Sequence, residues 1–143
     1  MRTRLLTMIA VLVMCTVASG CAQEESQAAA HYEPVHVETI DPGSGLKRVT
    51  FTPEGASRAD IHTAPVMQSG ALLEVPSAAL IYDNDGNTLV YIAMDRLTYQ
   101  RETVQVVTDD GWTVTLSRGP KAGTQVVTTG ANQVWGAELG VGH

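Results

Sequence analysis

Beyond Cys21 the chain contains no cysteine; its two cysteines, Cys15 and Cys21, both lie in the first 21 residues. Cysteine-ligated zinc ribbons and a disulfide framework are therefore excluded for everything that follows. Aromatic residues make up 5% of the 143, too little for base-stacking platforms or aromatic cages. Positive charge is also scarce: 9 Lys and Arg stand against 15 Asp and Glu, a formal net charge of −6. A nucleic-acid partner normally requires a basic stripe, so the balance speaks against one. Charged residues are only 17% and hydrophobic residues 44%, which excludes a charge-driven disordered chain and permits a packed core. The length allows one small domain or two very small ones and excludes a large enzyme of several domains.

The N-terminus is patterned as an address. Arg2 and Arg4 precede an apolar run over residues 5–17, and the small residues Ala18, Ser19 and Gly20 follow. That is the layout of a secretory signal peptide over residues 1–20, and the run is too short for a permanent membrane-spanning helix. The sequence Ala18-Ser19-Gly20-Cys21 resembles the lipobox of bacterial lipoproteins. The resemblance implies that Cys21 becomes the first mature residue and carries acyl chains, leaving an exported, membrane-anchored lipoprotein facing the periplasm or the cell exterior. Several acyl chains together hold a protein stably on a bilayer. Removing residues 1–20 takes away two arginines and no acid, so the mature charge is 7 − 15 = −8. An anionic lipid surface repels such a chain, and attachment rests on the anchor.

Residues 21–45 read as a flexible tether. AQEESQAAA is small, polar and acidic; HYEPVHVETIDP alternates weakly at Val35, Val37 and Ile40 and suits either an edge strand or an extended linker. The breaker cluster Asp41-Pro42-Gly43-Ser44-Gly45 then sets the expected domain start near Leu46, giving a domain over residues 46–143. Within it, KRVTFT alternates polar and apolar up to Pro53, and EGASRAD holds one helical turn weakened by Gly55. Residues 83–87 (DNDGN) sit between LIY and TLVYIAM, and an Asp-Gly pair between apolar runs marks a hairpin because glycine takes positive φ without a Cβ clash. Asp109-Asp110-Gly111 marks a second hairpin between YQRETVQVVT and WTVTL. A strand over QVVTT and a short helical turn after Gly130 complete the pattern. No stretch of a dozen residues shows a clean 3.6 period, and turn signals recur every 8 to 12 residues or so. The expected fold class is all-β, a small antiparallel sandwich or barrel.

Motifs with chemistry are few. Four histidines occur: His31, His36, His62 and His143. His31, His36 and His62 with Met67 have the ligand types for a soft metal such as Cu(I), although His31 and His36, five apart on a strand, face opposite ways. The simpler expectation is surface histidines and no metal site. DNDGN superficially echoes a calcium loop, but the twelfth position counted from Asp83 is Met94, which cannot ligate calcium. Glu54, Asp60, Glu74 and Glu102 read as solvated acids. With no phosphate loop, nucleophile elbow or metalloprotease helix, no catalytic residue, no enzyme and no cofactor is expected.

One set of motifs resembles a known family. VTFTPE (residues 49–54) followed by DIHTAPV (60–66), VPSAALIY (75–82), VYI (90–92) and GPKAGTQVVTTG (119–130) are similar, in order and spacing, to motifs of the periplasmic adaptor subunits, the HlyD-like membrane fusion proteins of tripartite RND-type efflux pumps. Asp60 stands where that pattern usually has glycine. Between Val66 and Val75 there is no room for the family's α-hairpin, lipoyl domain and complete barrel domain. What remains resembles a truncated form keeping mainly the membrane-proximal β domain. The resemblance implies an accessory protein of an efflux system, docking on an inner-membrane transporter or another envelope protein. The alternatives are an envelope lipoprotein binding copper or zinc, and a non-functional adaptor remnant.

Overall fold

The computed structural model describes residues 33–141. Of these, 52% lie in strands and 17% in helices, and two antiparallel sheets form a sandwich-like arrangement, as the turn spacing predicts. In chain order the elements are β1 (Val35–Asp41), β2 (Leu46–Phe51), α1 (Pro53–Arg58), β3 (His62–Pro65), β4 (Met67–Ser69), β5 (Leu72–Pro76), a 3₁₀ turn (Ser77–Ala79), β6 (Ile81–Tyr82), β7 (Thr88–Asp95), β8 (Thr98–Thr103), β9 (Gln105–Asp109), β10 (Thr113–Arg118), β11 (Gln125–Thr129) and α2 (Ala131–Leu139). The first sheet has seven strands in the order β1-β2-β8-β7-β11-β3, with β6 also on β7; the second has four, in the order β4-β5-β10-β9.

The folded part starts earlier than the sequence suggests. β1 lies within the stretch assigned to the tether, residues 21–45, and pairs with β2 from Val35 opposite Phe51 to Asp41 opposite Leu46. Val35 and Val37, two apart, turn the same face toward the core, so even a weak period-2 signal is enough once a partner strand is present. The close approach of Pro34 to α1 fixes this entry. A Cβ on Gly55 would lie 2.3 Å from the Pro34 carbonyl oxygen, so the glycine that weakens the helical turn is the residue that lets the chain pass. Local chemistry compensates: Thr52 caps α1, its Oγ1 accepting from Gly55 N at 3.0 Å, and Pro53 occupies the first turn.

The seven-stranded sheet is covered on both faces. Leu89, Tyr91 and Val127 point to a core shared with Val49, Phe51, Tyr99 and the helical residues Ala56, Ala131, Val134 and Ala137. Val90 and Val126, one residue out of phase, point to the opposite core with Val66, Val75, Ala79, Val104, Val114 and Leu116. This explains why TLVYIAM is continuously apolar rather than alternating: both of its faces are buried. In the first core Phe51 and Tyr99 meet edge to face, with ring centroids 6.1 Å apart.

Two of the four changes of sheet fall at buried valines. Val66 separates β3 from β4, and its N–H and C=O pair with Thr124 O and Gly123 N at 2.8 Å each. Val104 separates β8 from β9 and donates to Thr88 O at 2.9 Å. Both side chains belong to the inter-sheet core, so the stretch read from sequence as one strand over residues 99–108 serves two sheets.

Candidate functional site

Of the residues that the sequence singles out, Cys21 and His31 lie outside the described residues, as does His143. His36 is on β1 and His62 on β3, the two opposite edges of the seven-stranded sheet. His62 Nε2 lies 2.9 Å from Asp60 Oδ1, an exposed local pair. Met67 opens β4 in the other sheet and is exposed. The structure thus spreads these ligand types over three edge strands. Among the described residues no group of three or more His, Cys, Asp or Glu gathers as a metal site.

The acids are likewise dispersed. Glu54 sits in the first turn of α1, where the helix dipole favours it. Glu74 is on β5, paired with Met67 and Thr115. Glu102, on β8, is partly buried; burial raises its pKa above the ordinary value, and Arg118 nearby opposes that rise. Asp83 closes its own turn: Oδ1 accepts from Asp85 N at 3.0 Å and Asn87 N at 2.7 Å, and Oδ2 from Asn87 Nδ2 at 2.9 Å. The side-chain bond from Asn87 leads the lowering of its pKa. These oxygens are engaged in turn geometry, as a hairpin requires.

Sequence reasoning misses one polar cluster. Glu138, 2% exposed, lies in the last turn of α2 and points onto the first core. Tyr91 Oη donates to its Oε2 at 2.5 Å, Arg101 Nε lies 3.4 Å from its Oε1, and Lys47 Nζ donates to its backbone carbonyl at 2.8 Å. Arg101 Nη2 also donates to Gly45 O at 2.9 Å. Burial, and then the bond to Glu138, raise the Tyr91 pKa far above its ordinary value, so the phenol stays a donor at every working pH. The cluster satisfies a buried carboxylate from β7 and β8 and its backbone carbonyl from β2, and so fastens α2 across the sheet. A lone glutamate in a stretch rich in glycine and alanine carries no periodic signal that could reveal it. Beside Arg101 opens a polar cavity of about 300 Å³, bounded also by Ser44, Asp83, Asn87 and Thr103.

Three of the nine large exposed hydrophobic residues among those described, Val106, Val107 and Trp112, lie on the β9–β10 hairpin. All five residues of β9 are exposed, including Val106 and Val107 at 39% and 51%, and Trp112 in the following turn is 85% exposed. The turn beneath Trp112 is firmly built. Asp110 Oδ1 accepts from Trp112 N at 2.8 Å and Thr113 N at 2.7 Å, which depresses the Asp110 pKa. Asp109 Oδ1 accepts from Gly111 N at 2.8 Å and from Ser77 Oγ at 2.6 Å. Gly111, at φ +87°, supplies the left-handed residue the turn needs. The backbone that carries the indole is thus tied by hydrogen bonds, and this hairpin can offer a partner a large apolar side chain. Comparison with family models, with curated proteins and with solved structures finds no match.

Proposed function

We propose that this chain is a lipid-anchored docking module of the cell envelope, an adaptor-like accessory protein that engages an inner-membrane transporter of an efflux system and catalyses no reaction itself. Cys21 carries the acyl anchor in this reading, and the −8 mature chain reaches its partner along the membrane surface. The observation that carries it is Trp112. Tryptophan is highly buried on average and dominates interface energetics when a partner covers it. Here it stands out on a turn held by four hydrogen bonds that the Asp109 and Asp110 carboxylates accept. The motif likeness to efflux adaptors and the sandwich-like β architecture support the same reading.

The test is recovery of the chain from native membranes after chemical crosslinking, with mass spectrometry of both the partner and the mature N-terminus. A transporter subunit in the crosslinked species, and a first residue Cys21 bearing acyl chains, are the expected results. Trp112→Ala reduces recovery of the partner about thirtyfold, the loss of about 2 kcal/mol that a central interface tryptophan carries. Recovery of free monomer alone, or of an unacylated N-terminus beyond Cys21, contradicts the proposal.

A further inference from the structure

The dipeptide Asp-Gly occurs twice, as Asp85-Gly86 between β6 and β7 and as Asp110-Gly111 between β9 and β10, and both copies are exposed. It is a labile pair in general, because a glycine amide, with no Cβ beside it, can attack the preceding side-chain carboxyl. The structure treats the two copies differently. Asp110 Oδ1 accepts from Thr113 N at 2.7 Å and from Trp112 N at 2.8 Å. Those bonds hold its carboxyl below the ordinary pKa, against the protonated form from which water leaves. Gly111 N donates to Asp109 Oδ1 at 2.8 Å, and the negative charge there opposes loss of the amide proton. Both reacting groups are thus engaged. At the first copy the Asp85 carboxylate has no hydrogen-bond or ion-pair partner among the described residues. Gly86 N donates only to a neutral acceptor, the Asp83 carbonyl oxygen, at 3.2 Å.

We propose that Asp85 is a site of spontaneous isomerisation to isoaspartate, and that the turn around Asp110 protects the second copy from the same reaction. Gly86 N forms a bond to Asp85 Cγ. The carboxyl hydroxyl leaves with the amide proton as water, and a cyclic succinimide remains. Water then attacks the former main-chain carbonyl carbon of Asp85 and breaks its bond to Gly86 N. The main chain now runs through Cβ and Cγ, and the former main-chain carbonyl carbon carries the free carboxylate. One water leaves and one enters, nothing is oxidised or reduced, and mass and net charge are unchanged. The main chain gains one carbon inside a turn closed by Asp83 N to Asn87 O at 3.0 Å and by Asp83 Oδ1 to Asp85 N and Asn87 N. That turn must rearrange, and the Asp85 carboxylate that lines the polar cavity beside Arg101 moves with it. The reaction needs no partner, so it stands apart from the identity of any transporter.

Ageing of the full folded chain at neutral pH in heavy-oxygen water tests it. Cleavage after Arg58 and Arg96 places Asp85 in one peptide, and cleavage after Arg101 and Arg118 places Asp110 in another. Mass spectrometry reads the heavy oxygen that each succinimide takes up, and electron-transfer fragmentation separates isoaspartate from aspartate at the residue. Asp85 is expected to isomerise about tenfold faster than Asp110 or more, because the two bonds to the Asp110 carboxylate must open first. In denaturing urea, where neither turn persists, the two rates converge. Asp85→Glu, whose longer side chain disfavours ring closure, removes the isomer from its peptide. Equal rates in the folded chain, a faster reaction at Asp110, or no isomer at Asp85 overturns the proposal. A difference that persists unchanged in urea overturns it too, since local sequence and not the turn hydrogen bonds would then set the rates.

Discussion

The two sheets bury their strands differently. The seven-stranded sheet is covered by helices on one face and by its companion sheet on the other, and it carries both aromatic packing and the Glu138 cluster. The four-stranded sheet buries one face, with a core of Val66, Val75, Val114 and Leu116, and leaves its two outer strands exposed along their whole length. The difference separates two tasks. The larger sheet buries its central strands between two cores and exposes Ile40, Tyr82 and Met94 at its margins; the smaller leaves Met67, Val106 and Val107 exposed on its outer strands. A β domain that works by contact needs both, since an indole on a loose support would lose ordering entropy on binding.

The largest effect expected on stability comes from the shared core. Leu116→Ala removes a fully buried side chain facing the larger sheet and costs about 3–4 kcal/mol, which lowers Tm by roughly 15 °C. Thermal unfolding followed by far-ultraviolet circular dichroism measures it, and a single transition is expected because both sheets share that core. Two separate transitions would show that the sheets are independent units. Next is the polar cluster. Glu138→Ala leaves Tyr91 Oη and Arg101 without their carboxylate and costs about 2–3 kcal/mol, whereas Tyr91→Phe removes one hydrogen bond and costs about 1 kcal/mol. Urea unfolding ranks the two, and equal costs would contradict the view that Glu138 gathers several partners.

Charged side chains give smaller effects whose signs differ between sites. The folded-state pKa of Glu102 is raised by burial, so its contribution to stability is greatest below the ordinary value of 4.5 and is lost as pH rises through the folded pKa. Glu102→Gln is accordingly more stable than the parent at pH 7, with a gap that closes as pH falls below 4.5. Asp83 and Asp110, in the turns, have lowered pKa values, so their contribution is present above 3.8 and lost as pH falls through the folded value. Urea midpoints of the parent, Glu102→Gln and Asp110→Asn between pH 2.5 and 7 separate the two signs. The smallest change in stability, within about 0.5 kcal/mol, is expected for Trp112→Ala, because the indole is almost wholly in water. The same substitution should abolish most partner recovery, which makes it the sharpest separation of frame from contact surface.

How far the fold is legible depends on whether the signal is local. The Asp-Gly turns at residues 85–86 and 110–111 form where the sequence places them, because the constraint acts within the turn itself. The helical turn expected over EGASRAD forms at Pro53–Arg58, with a Thr52 cap. The turn between β7 and β8 is not: Arg96 and Leu97 link the strands with Leu97 at φ +63°, and no glycine announces it. The sheet crossings at Val66 and Val104 are equally silent, since a buried valine looks the same inside a strand and at a corner. At the candidate site, Trp112 is recognisable as a residue after a turn, but its exposure depends on how the other elements pack and no local signal sets it. Glu138 is hidden for the opposite reason: its partners Tyr91 and Arg101 lie 47 and 37 positions away.

A photo-crosslinking amino acid at position 112 of the full chain, in native membranes, reads contact through the β9–β10 hairpin. Position 139, where an exposed leucine ends α2, serves as the control. One dominant transporter adduct is expected from position 112, and little or none from position 139. Equal adduct patterns from the two positions, or no protein adduct from position 112, would contradict it.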